Sequence, residues 1–600
     1  MKAKIFKVLS LIGLLLWIIP VSLSGQSNQR LEKIAGRKLA AWTNPVTEWH
    51  NPEKIRIDSF RVAGEKGIID LWFPVPFSYN AIREENLAFF RRSISESLGS
   101  KFKDYRINIQ TNGFAAEDLI PNYYREALQA DSTRFPRLSG DRPVLMRRVD
   151  ATNPTKGLND RYIALWHSHG YYFDMTLDRW EWQRAKIFGT VEDISVMGHV
   201  LPYLTRMLEN SGATVFLPRE RDTQVNEIIV DNDRSTGDSE FVIPDSVERQ
   251  VIGGGFLITD TLFTGDNPFK KGTSLRIKGG RADYIADFPE KGNYAVYVSY
   301  PFMRDNCKAV LYTVSHSGGS TDFIVDQTVG GGTWIYLGTF QFNAGKDASV
   351  GAVSASPAAE GYMALDAMRF GGGTGNVARR PSEDIISNQR SVNENAMAAI
   401  QRTVSDTIRH TWKLSGKPRY MEGSRYYLQY AGMPDTLVYS LNRNKNDYND
   451  DYQSRGEWVN YLMGTAESDG GTTDIKGLGL PIDLSLAFHT DAGVTPDDSI
   501  IGTLGIYSTA AGEGKFPDGS SRMASRDLTD IIQTQIVDDI SLLFNPEWTR
   551  RGLWDRSYSE ARKPNVPAML LELLSHQNQG DQRYGLDPRF RFHVSRAVYK

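Results

Sequence analysis

The feature that most constrains how this chain can fold is an apolar strand–helix–strand pattern between residues 161 and 217. The run RYIALW, which starts at Arg161, has the length of a buried strand, and so does the run ATVFL, which follows Gly212. Between them, apolar residues recur on one helical stripe, at Ile194, Met197, Val200, Leu201, Leu204 and Leu208. Two such strands joined by a helix pair in parallel, so the pattern predicts an open α/β sheet.

A different pattern occupies residues 236–374. Short apolar runs such as ADYIADF and NYAVYVSYPF alternate there with Gly, Asn and Asp turns, which is typical of an all-β sandwich. Strand-like runs, LSLAFH and AMLLEL, and helical patterns return afterwards. We therefore expect one open α/β sheet, formed by residues 161–235 and 375–600 and interrupted by an inserted β-sandwich.

The first 160 residues predict three further segments. Lysines near the start precede an apolar run from Val8 to Val21, and small residues follow it. This layout indicates a secretory signal peptide over residues 1–25, and hence export to the periplasm or the extracellular space; an uncleaved anchor is the alternative. Strand and helix patterns predict a small α+β domain over 26–120, and the proline-containing loops of 121–160 predict a linker.

Charge and cysteine content exclude several partners. The 69 basic and 72 acidic residues give a formal net charge of −3 and are interspersed, so no basic surface for nucleic acid is expected, nor any membrane contact after removal of the signal peptide. Cys307 is the single cysteine, which excludes an internal disulfide. Its position in a strand-like run favours a small buried side chain over a nucleophile.

Four polar residues stand at strand ends or at the start of a helix: His169, Glu192, His489 and Glu572. The carboxyl ends of the strands of an open α/β sheet border the functional crevice, so these side chains can converge there. Two imidazoles and one carboxylate suit Zn²⁺ and leave a fourth position for water. A separate carboxylate, for which Glu572 is the candidate, is then needed to move the proton.

Each of these residues also has a structural interpretation. A histidine at a strand end is commonly held by hydrogen bonds alone, and an acidic residue such as Glu192 is favoured at a helix start by the helix dipole. Glu572 is the more unusual residue, because a carboxylate within an apolar run is costly to bury without a partner.

Six segments occur in the order found in a known family: HSHG, VEDISVM, ENSGATVFLPRERD, QSRGEWVN, LSLAFHTDAG with GTLGIYST, and VPAMLLELLSHQN. In this order they resemble the zinc-dependent N-acetylmuramoyl-L-alanine amidases. The resemblance implies that His169, Glu192 and His489 bind Zn²⁺ and that Glu572 is the catalytic acid/base. It also implies a mixed open α/β sheet flanked by helices. The implied substrate is the amide between N-acetylmuramic acid and L-alanine in peptidoglycan.

One departure from the family pattern concerns the first ligand. The family usually has Asp-Pro-Gly before its His-Gly, where this chain has Leu165 to Ser168. Since residues i and i+2 of a strand point to the same side, His167 is an alternative to His169 as ligand, or joins it. Arg221 and Asp222, and later Arg455 and Asn460, also match family segments, with salt bridges as the structural alternative. The other histidines are expected to be structural: His50, His199, His316, His410, His576 and His593.

The predicted insertion resembles the golvesin and xanthan-lyase-type β domain, which is similar to carbohydrate-binding modules. Its aromatic residues, for example Tyr297, Tyr300, Trp334 and Tyr336, offer flat rings for sugars; a spacer or a lid is the alternative role. The functional alternatives to the amidase are a xanthan-type polysaccharide lyase, a metallopeptidase acting on the stem peptide, and a non-catalytic protein that binds the cell wall.

Overall fold

The computed structural model describes residues 28–600 except 48, 50, 138–141, 151–156, 355–359, 384–410, 465–475 and 549. The predicted signal peptide, most of the helical pattern at 391–414, His50 and His410 lie outside the described residues. The chain is a mixed α/β protein with several β-sheets. No helix within the described ranges combines the length and the apolar character needed to cross a membrane.

The N-terminal unit is a four-stranded sheet covered by helices. Residues 28–39 form helix α1, and the remaining elements are β1 (Ser59–Ala63), β2 (Ile68–Phe73), α2 (Val75–Ser78), α3 (Glu84–Leu98), β3 (Arg106–Thr111) and β4 (Phe114–Ala115). The strands lie in the order β1-β2-β3-β4. Strand β2 buries alternate residues, and α3 buries residues three or four positions apart, so one face of each element forms a common core.

Phe90 lies at the centre of this core, and we expect Phe90→Ala to destabilise the unit by about 3 to 5 kcal/mol. Its ring is fully buried and packs on Trp49 and Phe77, with ring centroids 4.9 and 5.4 Å away. Native-state hydrogen exchange of the β2 amides in the full chain measures the loss. The adjacent Phe89 is 44% exposed, so Phe89→Ala is the control, and an equal loss in both variants would contradict the packing argument.

The central sheet carries the predicted strand–helix–strand unit. Before the insertion come β5 (Met146–Arg148), β6 (Tyr162–His167), β7 (Tyr171–Asp174), β8 (Arg179–Trp182), α4 (Glu192–His199), α5 (Thr205–Asn210) and β9 (Thr214–Phe216). Strand β6 pairs in parallel with β9. The helix between them is not regular, since a π-helical turn at Val200–Leu204 joins α4 to α5.

Twelve antiparallel strands then form three sheets: β10 (Ile228–Val230), β11 (Glu240–Val242), β12 (Arg249–Gly255), β13 (Gly272–Ile277), β14 (Arg281–Phe288), β15 (Gly292–Val298), β16 (Val310–His316), β17 (Gly319–Val325), β18 (Ile335–Phe342), β19 (Gly345–Ser354), β20 (Met363–Leu365) and β21 (Met368–Phe370). Their orders are β10-β21-β15-β18, β12-β13-β20 and β11-β14-β19-β16-β17-β5. With β5, the three sheets hold thirteen strands, two of which come from outside 236–374. Strand β10 precedes residue 236 and pairs with β21, and β5, from the predicted linker, pairs with β17.

The inserted region buries most of the aromatic residues expected to bind sugars. Tyr297, Tyr300 and Trp334 are at most 7% exposed, so these three rings are not accessible to a sugar: the strands pack on further sheets and helices and bury more of their side chains than a solvent-facing sheet does. Tyr336 is partly exposed, and the guanidinium of Arg221 lies 3.9 Å from its ring centroid. Cys307 is buried, as expected.

The chain returns to the central sheet through α6 (Ser424–Tyr430), α7 (Asp435–Val438), α8 (Asp447–Met463), β22 (Leu484–Asp491), β23 (Thr503–Tyr507), α9 (Met523–Leu543), β24 (Arg550–Asp555), α10 (Ser559–Arg562), β25 (Ala568–Ser575), α11 (Gln579–Gly585) and α12 (Pro588–Tyr599). The six strands lie in the order β24-β23-β25-β22-β6-β9, and β23 runs antiparallel to β25.

Both faces of the central sheet are covered. Ile163 and Leu165 of β6 face a core shared with α4, α5, α9 and α12, whereas Tyr162 and Trp166 face a core shared with α8 and the inserted strands. Strand β22 is parallel to both β6 and β25. The carboxyl ends of these three strands therefore lie side by side at one edge of the sheet.

Candidate metal centre at the carboxyl edge of the central sheet

Three elements bring the candidate ligands to this edge. Strand β6 ends at His167, and Ser168 then turns the chain with a φ of 54° before His169. Strand β22 contains His489 near its end, and α4 begins at Glu192. All three ligand candidates are buried. The sheet and the helix start thus place them together, although the insertion separates His489 from the other two.

The donor atoms of these residues converge. Glu192 Oε1 lies 3.5 Å from His489 Nδ1 and 4.0 Å from His169 Nε2. One ligand atom from each residue can be chosen so that all lie within 4.8 Å of one another. Among the residues described, this is the one such group of three or more His, Cys, Asp or Glu side chains. The arrangement suits one cation bound by two nitrogens and one oxygen.

The electrostatics fit a cation as well. Burial holds the pKa of His169 well below its usual value, with the neighbouring His489 and Arg455 adding to the effect, so this ring is neutral, as a metal ligand must be. Burial would also lower the pKa of His489, but Glu560 and Glu192 raise it to about 10. Without a metal, His489 therefore carries a proton beside Glu192. A divalent cation bound at this point would replace that proton.

Further groups hold the carboxylate of Glu192. The hydroxyl of Ser168 donates a 2.6 Å hydrogen bond to Oε1, and Arg184 Nε donates at 3.3 Å to Oε2. His576 Nδ1 lies 3.8 Å from Oε2. The sequence alone predicts a structural role for His576, because its spacing does not link it to Glu192. These contacts fix the direction of the Glu192 carboxylate.

His167 does not join the group. It is fully buried, and neither ring nitrogen has a hydrogen-bond partner among the described residues. The rule that residues i and i+2 share a side holds only within a strand, and the left-handed conformation of Ser168 breaks the strand between His167 and His169. The two histidines therefore diverge, and His169 is the one beside Glu192.

Glu572 lies directly beside His489 in the sheet, as its register partner between β22 and β25. Its Oε2 atom is buried and has no hydrogen-bond partner in the described part of the chain. Burial raises the pKa of Glu572 to about 7, and the nearby charges of Glu192 and Glu560 act in the same direction, against the opposing charge of His489. This carboxyl group can therefore both take up and release a proton near neutral pH.

Glu560 is a residue of this site that sequence reasoning missed. Its Oε2 atom lies 3.1 Å from His489 Nε2, and its Oε1 atom accepts hydrogen bonds from Arg455 and from the indole of Trp166. Arg455 in turn lies 3.2 Å from His169 Nδ1. Glu560 sits in the polar segment RSYSEARK, which carries no pattern that distinguishes it from a surface loop, so only the fold reveals its position.

The other family-like positions make structural contacts. Arg221 pairs with Glu209, Asp222 accepts a hydrogen bond from the backbone N–H of Ala295, and Asn460 donates to the carbonyl of Lys563. Arg455 alone of this set reaches the candidate ligands.

Comparisons with known proteins find two kinds of relative. The chain is 36% identical to a xanthan lyase from Bacillus sp. strain GL1 over 88 residues, which are 14% of this chain and 10% of that protein. A structure of Paenibacillus xanthan lyase matches 24% of this chain and 13% of its own at 25% identity and a TM-score of 0.18. The catalytic domain of an N-acetylmuramoyl-L-alanine amidase from Bacillus (Paenibacillus) polymyxa matches 20% of this chain and 54% of its own at 18% identity and a TM-score of 0.15.

One part of the chain also matches a family model. The model of the Golvesin C-terminal domain matches residues 265–372, a stretch within the inserted β-strands. Residues 265–372 are therefore similar to the Golvesin C-terminal domain, and they lie within the α/β chain that holds His169, Glu192 and His489.

Proposed function

We propose that this protein is an exported zinc-dependent hydrolase that cleaves the amide bond between N-acetylmuramic acid and L-alanine in peptidoglycan. The observation that carries the proposal is the convergence of His169, Glu192 and His489 beside Glu572, a carboxyl group whose pKa is raised to about 7. Two imidazoles, one carboxylate and a separate proton carrier are what metal-assisted amide hydrolysis requires.

The three candidate ligands fit zinc in both number and type. Two histidine nitrogens and one glutamate oxygen leave a fourth position free for water or substrate, which is the composition of catalytic rather than structural zinc sites. His169, Glu192 and His489 would hold the zinc, which would supply the Lewis acidity that activates a water and polarises the carbonyl under attack.

The two carboxylates Glu572 and Glu192 have different roles in the proposed reaction. Glu572, with its unpartnered oxygen, accepts the proton of the attacking water and passes it to the nitrogen of the leaving amine, so that the amide C–N bond breaks as the C–O bond forms. Glu192 is held ionised by His489 and Ser168 despite its burial, which suits a ligand and not a proton carrier. The environments of the two carboxylates thus assign them different roles.

The choice of peptidoglycan rests on the ordered segments from HSHG to VPAMLLELLSHQN that resemble the amidase family, and on the predicted signal peptide. The zinc chemistry by itself serves other amides, including those of the stem peptide. The second candidate function, polysaccharide lyase, draws on the 36% identity to xanthan lyase, but this identity covers only 10% of that protein. We therefore favour the amidase.

Incubation of the purified protein with peptidoglycan should release free stem peptides and leave the glycan strands intact. A chelator should stop the release and added Zn²⁺ should restore it. Mass spectrometry of the products distinguishes the alternatives: unsaturated sugar products would indicate a lyase, and cuts within the stem peptide a metallopeptidase. Undigested peptidoglycan in the presence of zinc would refute the proposal.

A further inference from the structure

We infer that Glu560, held by Arg455, is a positioning residue for the metal centre: it presents the Nδ1 atom of His489 to the metal by holding the Nε2 atom. The inference rests on the proposed function and deepens it. Sequence resemblance assigns no role to Glu560.

The Glu560 carboxylate contacts three buried side chains, those of His489, Arg455 and Trp166. One carboxylate oxygen, Oε2, lies 3.1 Å from His489 Nε2. The other, Oε1, accepts a 2.7 Å hydrogen bond from Arg455 and a 2.5 Å hydrogen bond from the indole N–H of Trp166, and it also lies 3.2 Å from His489 Nε2. The Glu560 side chain is 8% exposed and that of Arg455 is fully buried.

Each ring nitrogen of His489 therefore faces a different group. Nε2 faces Glu560, and Nδ1 lies 3.5 Å from Glu192 Oε1, on the side where the candidate ligands converge. Both neighbours are carboxylates, which only accept hydrogen bonds, so the ring without a metal carries a proton on each nitrogen. A metal at Nδ1 would displace the proton there, and the neutral ring would keep its proton on Nε2, held by Glu560. That leaves the lone pair on Nδ1, the nitrogen that the metal needs.

Arg455 stabilises the buried charge of the Glu560 carboxylate. An unpaired buried charge is costly, and Arg455 supplies the compensating cation. It also contacts Asp451, one helical turn away on α8. Glu560 comes from α10, Arg455 from α8 and Trp166 from β6, so three separate elements fix the position of the Glu560 carboxylate.

The test is Glu560→Gln, which keeps the size of the side chain and replaces one oxygen by an N–H₂ donor. If the amide nitrogen faces His489, Nε2 must accept and the proton moves to Nδ1; if it faces the other way, it meets the donors of Arg455 and Trp166. We expect zinc affinity, measured by chelator competition, to fall by about 10- to 100-fold, as for other groups that orient metal ligands. The absorption spectrum of the Co²⁺-loaded variant should change with it.

A matched control is Glu220→Gln. Glu220 is also fully buried and also accepts from an arginine and an aromatic donor, Arg369 and the hydroxyl of Tyr297. This variant should lower the thermal unfolding temperature without changing zinc affinity. If Glu560→Gln does not fold, Arg455→Lys, which keeps the charge and loses the forked geometry, takes its place with the same expected direction.

The outcomes separate the two proposals. Zinc affinity of Glu560→Gln within about 3-fold of wild type, or an equal loss in Glu220→Gln, would overturn the positioning role while leaving the hydrolase intact. A wild-type protein that binds no zinc would overturn the metal centre itself, and the positioning role with it. A selective loss in Glu560→Gln, with wild-type protein that binds zinc but leaves peptidoglycan intact, would support the positioning role and refute only the proposed substrate.

Discussion

Glu572→Gln should lower the rate of stem-peptide release by roughly 100- to 10,000-fold, the contribution typical of a general acid/base. Glutamine has nearly the same shape as glutamate, but it cannot take up the proton of the attacking water. The partner-free Oε2 atom and the pKa of about 7 single out this carboxyl group for the transfer. Zinc affinity should change little, because Glu572 is not among the converging ligands.

The measurement is kcat on a soluble peptidoglycan fragment, together with the zinc content of the purified variant. Glu547→Gln, at an exposed position, is the control and should retain full activity. If Glu572→Gln keeps activity within a few fold of wild type, Glu572 takes no part in the reaction. Loss of zinc along with activity would instead make Glu572 a ligand.

His169→Ala should remove most of the zinc affinity and all measurable hydrolysis. Loss of one of three protein ligands should exceed the roughly 10- to 100-fold effect that follows removal of a group that only orients a ligand. His167→Ala is the matched control, because His167 is also buried and lies two residues away, yet its ring does not join the candidate ligands. That variant should keep its zinc affinity within a few fold.

Chelator competition on both variants decides between the two histidines. A large loss in His167→Ala with an intact His169→Ala would reverse the assignment made from the structure. Equal losses in both would mean that both rings bind the metal, which would require a different backbone conformation at Ser168.

The parts of this molecule that could be predicted from sequence are those with local periodicity. The apolar runs and the stripe from Ile194 to Leu208 predict β6, the following helix and β9, and the structure has these elements. The helix is nevertheless interrupted at Val200–Leu204. Pro202 lies in that turn and has no N–H to donate, so a regular hydrogen-bond ladder cannot pass through it.

Residues of the candidate site can be predicted from sequence only where they stand in or beside an apolar run or at the start of a helix. His169 and His489 follow or end apolar runs, Glu192 opens a helix, and Glu572 lies within an apolar run. The parallel pairing of β6, β22 and β25 brings the three strands together. Glu560 and His576 reach the site from segments without such a signal, because their positions depend on how α10 and the chain after β25 pack. Whether His167 and His169 point to the same side depends on the backbone conformation of Ser168. The periodicity of the sequence does not indicate that conformation.

The insertion between β9 and β22 also has a consequence for how the protein reaches this structure. Strand β22 pairs with β6, so the central sheet can close only after the whole intervening chain has been gathered in. Closing so long a loop while it is unfolded is entropically unfavourable and slow. The inserted strands pair among themselves and with β5. If they fold first, they shorten the effective loop, and assembly of the metal centre becomes the last step of folding.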